Sequence, residues 1–327
     1  MRYPCEICGK LTIGFHYGVN CCNACKQFFI RAVTSDKIPN TCSSKNGNCQ
    51  KCRFCRYQLC LQAGLVAPCV KNFSPDLSKV LDHFKYLEFH RNDKFLNFIP
   101  LGTFNLDDSV LAENGNYTEK PENFQPNFDT WVAVCFSTSV DFIKRCEVFE
   151  ELSKCEKMSL VKQSYRMHGT FCLAMRSFVN RQEIAQFPGG LDIVPEEIQN
   201  RYQNCPEILN RIKCPLVAKL RELKITNEEY LLLSALMICN TAPSIFSEFG
   251  QNHIGHYQKL FSSLLLQYCL QNYSKNGPSR FSDLLTIFYT VNGILQDFDN
   301  AIIPFLYTQS KTETQRMLEN VMEQKLD

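Results

Sequence analysis

Between residues 158 and 179, Met158, Val161, Tyr165, His168, Cys172, Met175 and Val179 recur at steps of three and four, which predicts one long helix buried along a wide face. Thr226-Asn227-Glu228-Glu229 has the spacing of a capping box and opens a second helix through Met237. Helical patterning returns over 254–271, 281–294 and 312–325. Phe187-Pro188-Gly189-Gly190 reads as a turn between two β-compatible pieces, 183–187 and 191–194, so a small hairpin is expected among the helices. Upstream, Ser74-Pro75-Asp76 reads as a helix start, followed by Leu77, Val80, Leu81, Phe84 and Leu87 at helical spacing. Residues 92–127 are rich in Asn, Gly, Pro and acids without a period, which predicts a hinge. The longest apolar runs, 230–239 and 284–291, fall short of the ~18 to 20 residues that a membrane-spanning helix needs, so no membrane role is expected.

Composition divides this pattern in two. The chain has 327 residues, 45% of them apolar, enough for roughly two domains at about 150 residues each. Eleven of its 19 cysteines fall in the first 69 residues. Residues 1–80 carry eleven Lys or Arg against three acids, whereas the remainder carries 24 against 30, so a net charge of +2 conceals a basic module joined to an acidic one. The opening Met1-Arg2-Tyr3-Pro4-Cys5 lacks the apolar run of a signal peptide, and a reducing compartment is the expectation for the thiols. A cysteine-rich basic module in such a compartment suggests a metal-stapled nucleic-acid binder.

The cysteine spacing supplies the metal chemistry. Cys5-x2-Cys8 and Cys22-x2-Cys25 are two tight turns, each offering two sulfurs, and together they complete the tetrahedron of a zinc site. Cys21 competes for the third position, but only Cys22 stands two residues from Cys25, so Cys21 is expected as a small buried residue. A second set, Cys42, Cys49, Cys52 and Cys55, predicts a second zinc if the backbone turns sharply before the helix carrying the last two; a partly filled site is the alternative. Structural zinc contributes about 10 to 16 kcal/mol to folding in modules of this size, so metal is expected to be a folding requirement. Residues 23–33 read as a helix pinned by Cys22 and Cys25, with Phe28, Phe29 and Ala32 inward and Asn23, Lys26, Gln27 and Arg31 outward. Such an outward face suits reading of duplex DNA, where Lys and Arg pair with guanine and Asn or Gln with adenine.

These residues resemble the nuclear hormone receptors. The resemblance is carried by Cys5-x2-Cys8, His16-Tyr17-Gly18-Val19, Cys22-Asn23-Ala24-Cys25-Lys26-x-Phe28-Phe29-x-Arg31 and Cys52-x2-Cys55-Arg56-Tyr57-Gln58-x-Cys60-Leu61-x2-Gly64-Leu65. The Asn-Ala pair looks most like the divergent, expanded nematode-type branch. It implies a recognition helix bearing Asn23, Lys26, Gln27 and Arg31, with His16, Tyr17 and Arg56 approaching phosphates. Most of the family has about nine residues between the cysteines matching Cys49 and Cys52, whereas this chain has two. The missing loop ordinarily supports phosphate contact and dimerisation, and Asn23, Ile30 and Leu59 also depart from the family's commoner residues.

The second half resembles the family's ligand-binding domain, from Val140-Asp141-Phe142-Ile143-Lys144 through Phe149-x2-Leu152 to Glu156-Lys157-x2-Leu160-Val161, and again at Thr226-x2-Glu229-Tyr230 and Arg280-Phe281-x2-Leu284-Leu285. Lys144 falls where the family has the basic half of a clamp on a coregulator helix, although a lysine at a helix end also suits the carbonyls of its own last turn. Glu319, in Met317-Leu318-Glu319-Asn320-Val321-Met322-Glu323, is the implied acidic counterpart. Arg176 matches a position whose arginine meets a ligand's carboxylate or carbonyl, though an internal acid or backbone carbonyl would serve it equally well. His168 lies on the apolar stripe and is expected as a core residue.

The fold expected is therefore a small zinc-stapled, four-cysteine, α-containing DNA-binding module over 1–70, a hinge with one short helix over 71–125, and an all-α helical-sandwich ligand-binding domain with a small β-hairpin over 126–327. The resemblance implies a nuclear transcription factor whose partners are duplex DNA, coregulator proteins, another nuclear receptor as homo- or heterodimer, and a small lipophilic ligand. An enzyme is not expected, since no cysteine sits in a recognisable nucleophile context and the six histidines are scattered. The alternative is a zinc-stapled interaction adaptor or corepressor that has lost DNA binding.

Overall fold

The computed structural model describes residues 3–12, 15–16, 19–34, 42, 52–63, 76–102, 104–112, 115, 117–306 and 312–322. The chain comprises two compact units, Met1–Asp76 and Leu77–Asp327.

The N-terminal unit contains two antiparallel hairpins, β1 (Tyr3–Pro4) with β2 (Leu11–Thr12) and β3 (Phe15–His16) with β4 (Val19–Asn20), then helices α1 (Asn23–Thr34) and α2 (Arg53–Gln62). Its apolar core is small: Ile7, Val19, Phe29, Cys21 and Cys60 are buried with the sulfurs of Cys5 and Cys25. Cys21 is fully buried, as the spacing argument expects.

The second unit starts at α3 (Leu77–Asn97), a helix of 21 residues rather than the short one expected in a hinge. It buries Leu81, Phe84, Leu87 and Phe95 in the main core. After α3 the chain forms β5 (Phe98–Pro100), α4 (Leu106–Leu111) and β6 (Tyr117–Glu119), with β5 and β6 paired antiparallel. The described part of the expected hinge, from Leu77 onward, packs with the helical unit. Ser74 and Pro75 lie outside the described residues.

The sandwich continues with α5 (Phe128–Lys144), α6 (Glu147–Glu150), α7 (Lys154–Val179), α8 (Glu196–Arg201), α9 (Pro206–Lys213), α10 (Pro215–Leu223), α11 (Asn227–Ile238), α12 (Glu248–Tyr273), α13 (Gly277–Leu306) and α14 (Glu313–Met322). In layer terms, α3 and α5 pack on one side of α7 and α11, and α10, α12 and α13 pack on the other. Every residue of α11 from Glu229 to Ile238 is buried, so this central helix is apolar all round and shows no amphipathic period. Both long middle helices start at complete capping boxes, Ser153 with Glu156 and Thr226 with Glu229. Where α7 crosses α5, a side chain at Gly169 would stand 3.1 Å from Ser139 Oγ, so glycine permits the close approach.

The hairpin expected over 183–194 reduces to a single bridge, Gln186 to Asp192, around the 3-10 turn Pro188–Gly190. Gly189 and Gly190 take φ of 78° and 83°, left-handed values that glycine adopts without strain. The two-stranded sheet of this unit is instead β5 with β6. Among the described residues, no helix is long and apolar enough to cross a membrane.

Candidate metal centre and nucleic-acid interface

The first hairpin places Cys5 and Cys8 at a turn, and the start of α1 supplies Cys22 and Cys25; all four sulfurs lie within 4.8 Å of one another. Cys8 and Cys22 Sγ are 3.7 Å apart, against the about 3.8 Å edge of a sulfur tetrahedron built on a Zn–S bond of about 2.3 Å. Burial pushes the Cys5 thiol up, but backbone N–H groups of Cys22, Cys8 and Ile7 outweigh it and bring it down to about 6, which favours the thiolate that a metal requires. Burial pushes the Cys8 and Cys25 thiols up instead, and it is the four-sulfur geometry that fits zinc.

Cys42, Cys52 and Cys55 form the second cluster, with Cys42 Sγ 3.7 Å from Cys52 Sγ and 3.4 Å from Cys55 Sγ. Cys52 is also the N-cap of α2, its sulfur accepting from Cys55 N at 3.3 Å. Cys49 lies outside the described residues. The two clusters are compatible with two zinc ions.

Between them, α1 carries two distinct faces. Cys25, Phe29 and Ala32 are buried, and Phe28 is half-buried, whereas Asn23, Gln27 and Arg31 are exposed and Lys26 is half-exposed. Positions 23, 26, 27 and 31 fall on one side of a 3.6-residue helix, opposite the metal-held side. Arg31 Nε donates to Gln27 O at 3.2 Å, holding one of these side chains along the face. Tyr17 and the side chain of His16 lie outside the described residues. Arg56, expected near phosphate, is engaged inside the module: its Nη2 donates to Ala24 O and to Cys25 Sγ, each at 3.3 Å, and the guanidinium lies 4.5 Å from the Phe28 ring centroid. Phe29 and Tyr57 stack at 5.7 Å beside this contact.

In the helical unit, an apolar cavity of about 70 Å³ lies among α5, α7, α10, α13 and α14, with Leu318 and Val321 of α14 in its wall. Among the described residues that line it, the charged one is Arg166, whose guanidinium forms a buried ion pair with Asp299 of α13. A lone arginine inside a helix pattern looks like solvated surface, so the sequence does not single it out. Arg176 sits elsewhere, half-buried with its guanidinium 5.9 Å from the Phe95 ring centroid, and burial together with the nearby Arg91 charge lowers its pKa. Lys120 stands over the Trp131 ring at 4.0 Å and donates to Phe95 O and Leu96 O. Lys144 Nζ donates to two carbonyls of a different helix, Ser109 O at 2.9 Å and Ala112 O, rather than to its own last turn. Glu319 is half-buried on α14, which Tyr165 anchors by donating to Val321 O at 3.0 Å.

Two family models match the two units separately. Residues 3–67 match the C4-type double treble clef zinc finger, and residues 123–302 match the ligand-binding domain of nuclear hormone receptor. Similar proteins from Caenorhabditis elegans include the nuclear hormone receptor family members nhr-167, at 33% identity over 99% of this chain and 98% of the relative, and nhr-27, at 30% over 98% and 92%. A third, nhr-9, is 31% identical over 96% of this chain and 94% of its own length. With finger and helical domain both matched and relatives aligned nearly end to end, the chain belongs to the nuclear hormone receptor family.

Proposed function

We propose that this receptor is a zinc-dependent transcription factor of the nucleus that reads a specific duplex sequence with the outer face of α1. The observation that carries the reading is the division of α1: cysteines and Phe29 lock one side, leaving Asn23, Lys26, Gln27 and Arg31 together on the other. Half-exposed Lys26 and exposed Arg31 offer charge to guanine or phosphate, and Asn23 and Gln27 offer paired donor and acceptor groups to adenine. Selection of bound sites from random duplex DNA by the zinc-loaded protein tests this and yields the half-site. Lys26→Ala with Arg31→Ala is expected to abolish the selected binding and flatten its salt dependence. Salt-independent or absent binding with both zinc ions present would overturn the reading in favour of the adaptor.

In the helical domain, Lys144 and Glu319 are the proposed clamp for a coregulator helix, and exposed Tyr289 and Ile303 on α13 offer apolar contact to a second receptor chain. A preformed site for a drug-sized lipophilic molecule spans roughly 300 to 1,000 Å³, well above the cavity of about 70 Å³ found here. A ligand of that class enters only if the wall formed by α14 moves. Arg176, with Lys120 beside it, is the proposed contact for an acidic ligand group. Chemistry on a bound substrate forms no part of this reading.

A further inference from the structure

The carbonyls that Lys144 holds belong to the C-terminal end of α4, a short helix capped by Asn105, whose Oδ1 accepts from Asp108 N at 3.0 Å. Phe104, Leu106 and Val110 bury the opposite side of this segment. The Phe104 ring packs 6.1 Å from both Phe136 of α5 and Tyr165 of α7. Asp107, in its first turn, pairs with Lys162 of α7 at 3.6 Å. At its other end the segment reaches α14, since Gly102 and Phe104 line one cavity with Arg316 and Met317. The chain thus lays an amphipathic helix across α5 and α7, its carbonyl end on Lys144 and its leading end beside α14.

That is the geometry of a docked helix: apolar anchors facing in, and a cation on the last carbonyls. We infer that residues 104–112 are an intramolecular occupant of the coregulator groove, so that a partner helix binds only after α4 leaves. The inference rests on reading Lys144 as the clamp. It adds that the clamp is closed on the chain's own helix in the resting receptor, and that apparent affinity for a partner is its intrinsic affinity scaled by the fraction of molecules with α4 undocked. Two features favour displacement over permanent structure: the helix is six residues long, and it ends at the exposed Leu111.

The test uses the full zinc-loaded chain and a fluorescein-labelled amphipathic peptide with leucines at positions i, i+3 and i+4, followed by anisotropy. Leu106→Ala with Val110→Ala loosens α4 without touching Lys144 and is expected to tighten binding tenfold or more over the native chain. Ser109→Pro, which removes the Ser109 N to Asn105 O bond inside α4, should do the same, and it serves if the double variant does not fold by the Trp131 fluorescence criterion. Lys144→Ala should abolish binding in every background. Saturating peptide should also speed amide hydrogen exchange over 106–112 in the native chain. Equal, Lys144-dependent binding by native and loosened chains would leave the clamp standing and overturn the plug. Binding by none of them, or binding indifferent to Lys144, would remove the clamp reading and the plug with it.

Discussion

The His168 ring is fully buried in α7, stacked 4.5 Å from Phe142 and 3.6 Å through Nε2 from Cys172 Sγ. Burial, aided by the Arg91 charge, lowers its pKa from 6.5 to about 3. The folded protein therefore keeps a neutral imidazole at pH 5, while the unfolded chain protonates the same ring below about 6.5. Unfolding takes up a proton across that window, so stability falls as pH falls, until the folded form itself titrates near 3. At about 1.36 kcal/mol per pH unit for one proton, His168 removes about 2 kcal/mol of stability between pH 7.5 and 5. His168→Phe deletes the titrating group and keeps the stack on Phe142. Urea unfolding followed by fluorescence of the single tryptophan isolates the effect, because Trp131 is buried in α5 and reports the helical unit. The variant should lose about 2 kcal/mol less than the native chain over that pH range. Parallel curves for the two proteins would refute the argument, since they would mean that the folded state protonates this ring as readily as the unfolded one does.

Arg280→Met should cost about 3 to 5 kcal/mol, because it strands a buried carboxylate: Glu229 is fully buried and accepts from Arg280 Nε at 2.7 Å and Nη2 at 2.5 Å. Adding Glu229→Gln should recover most of that loss in the same urea assay, and a single-variant cost below about 1 kcal/mol would contradict the buried pairing. Cys22→Ala should lower zinc from two ions per chain to one by elemental analysis and unfold the α1 region, with the Trp131 midpoint unchanged; loss of both units in one transition would contradict their separation. The Ser153 and Ser247 hydroxyls, each donating at 2.6 Å, hold the Glu156 carboxyl down at about 2. Its stabilisation is present above about 4.5 and lost as pH falls towards 2, so Glu156→Gln should flatten stability across that acid window, measured by urea unfolding.

The cysteine pairs, the polar face of α1 and the capping box at Thr226 were legible in the chain, because each rests on local spacing that folding does not alter. The second box, Ser153 with Glu156, was passed over although it has the same spacing. The second half of α3 was not. Arg91 occupies the next inward position of its stripe and is buried through a pairing with Glu88 at 2.7 Å, so the apolar pattern breaks where the helix continues. The sheet escaped for the opposite reason: Phe98 to Pro100 and Tyr117 to Glu119 pair across an intervening helix, and no short window contains both strands. The turn at Gly189 has strand-like neighbours, yet a single bridge forms there among the described residues. Lys144 illustrates a subtler limit. Its position at the end of α5 suggested either a partner's helix or its own, and the acceptor came from a segment that the sequence had marked as a hinge.

Arg56 ties the second finger's helix to the first finger's sulfur and to the main chain of α1 through one planar group. Lysine, a point charge on a flexible stem, cannot span both acceptors while lying flat on Phe28. The tilt of the face proposed to enter a DNA groove is thus inherited from a side chain some thirty positions downstream, and under that proposal a change there would be read as altered sequence preference by a protein whose proposed contact residues are all intact.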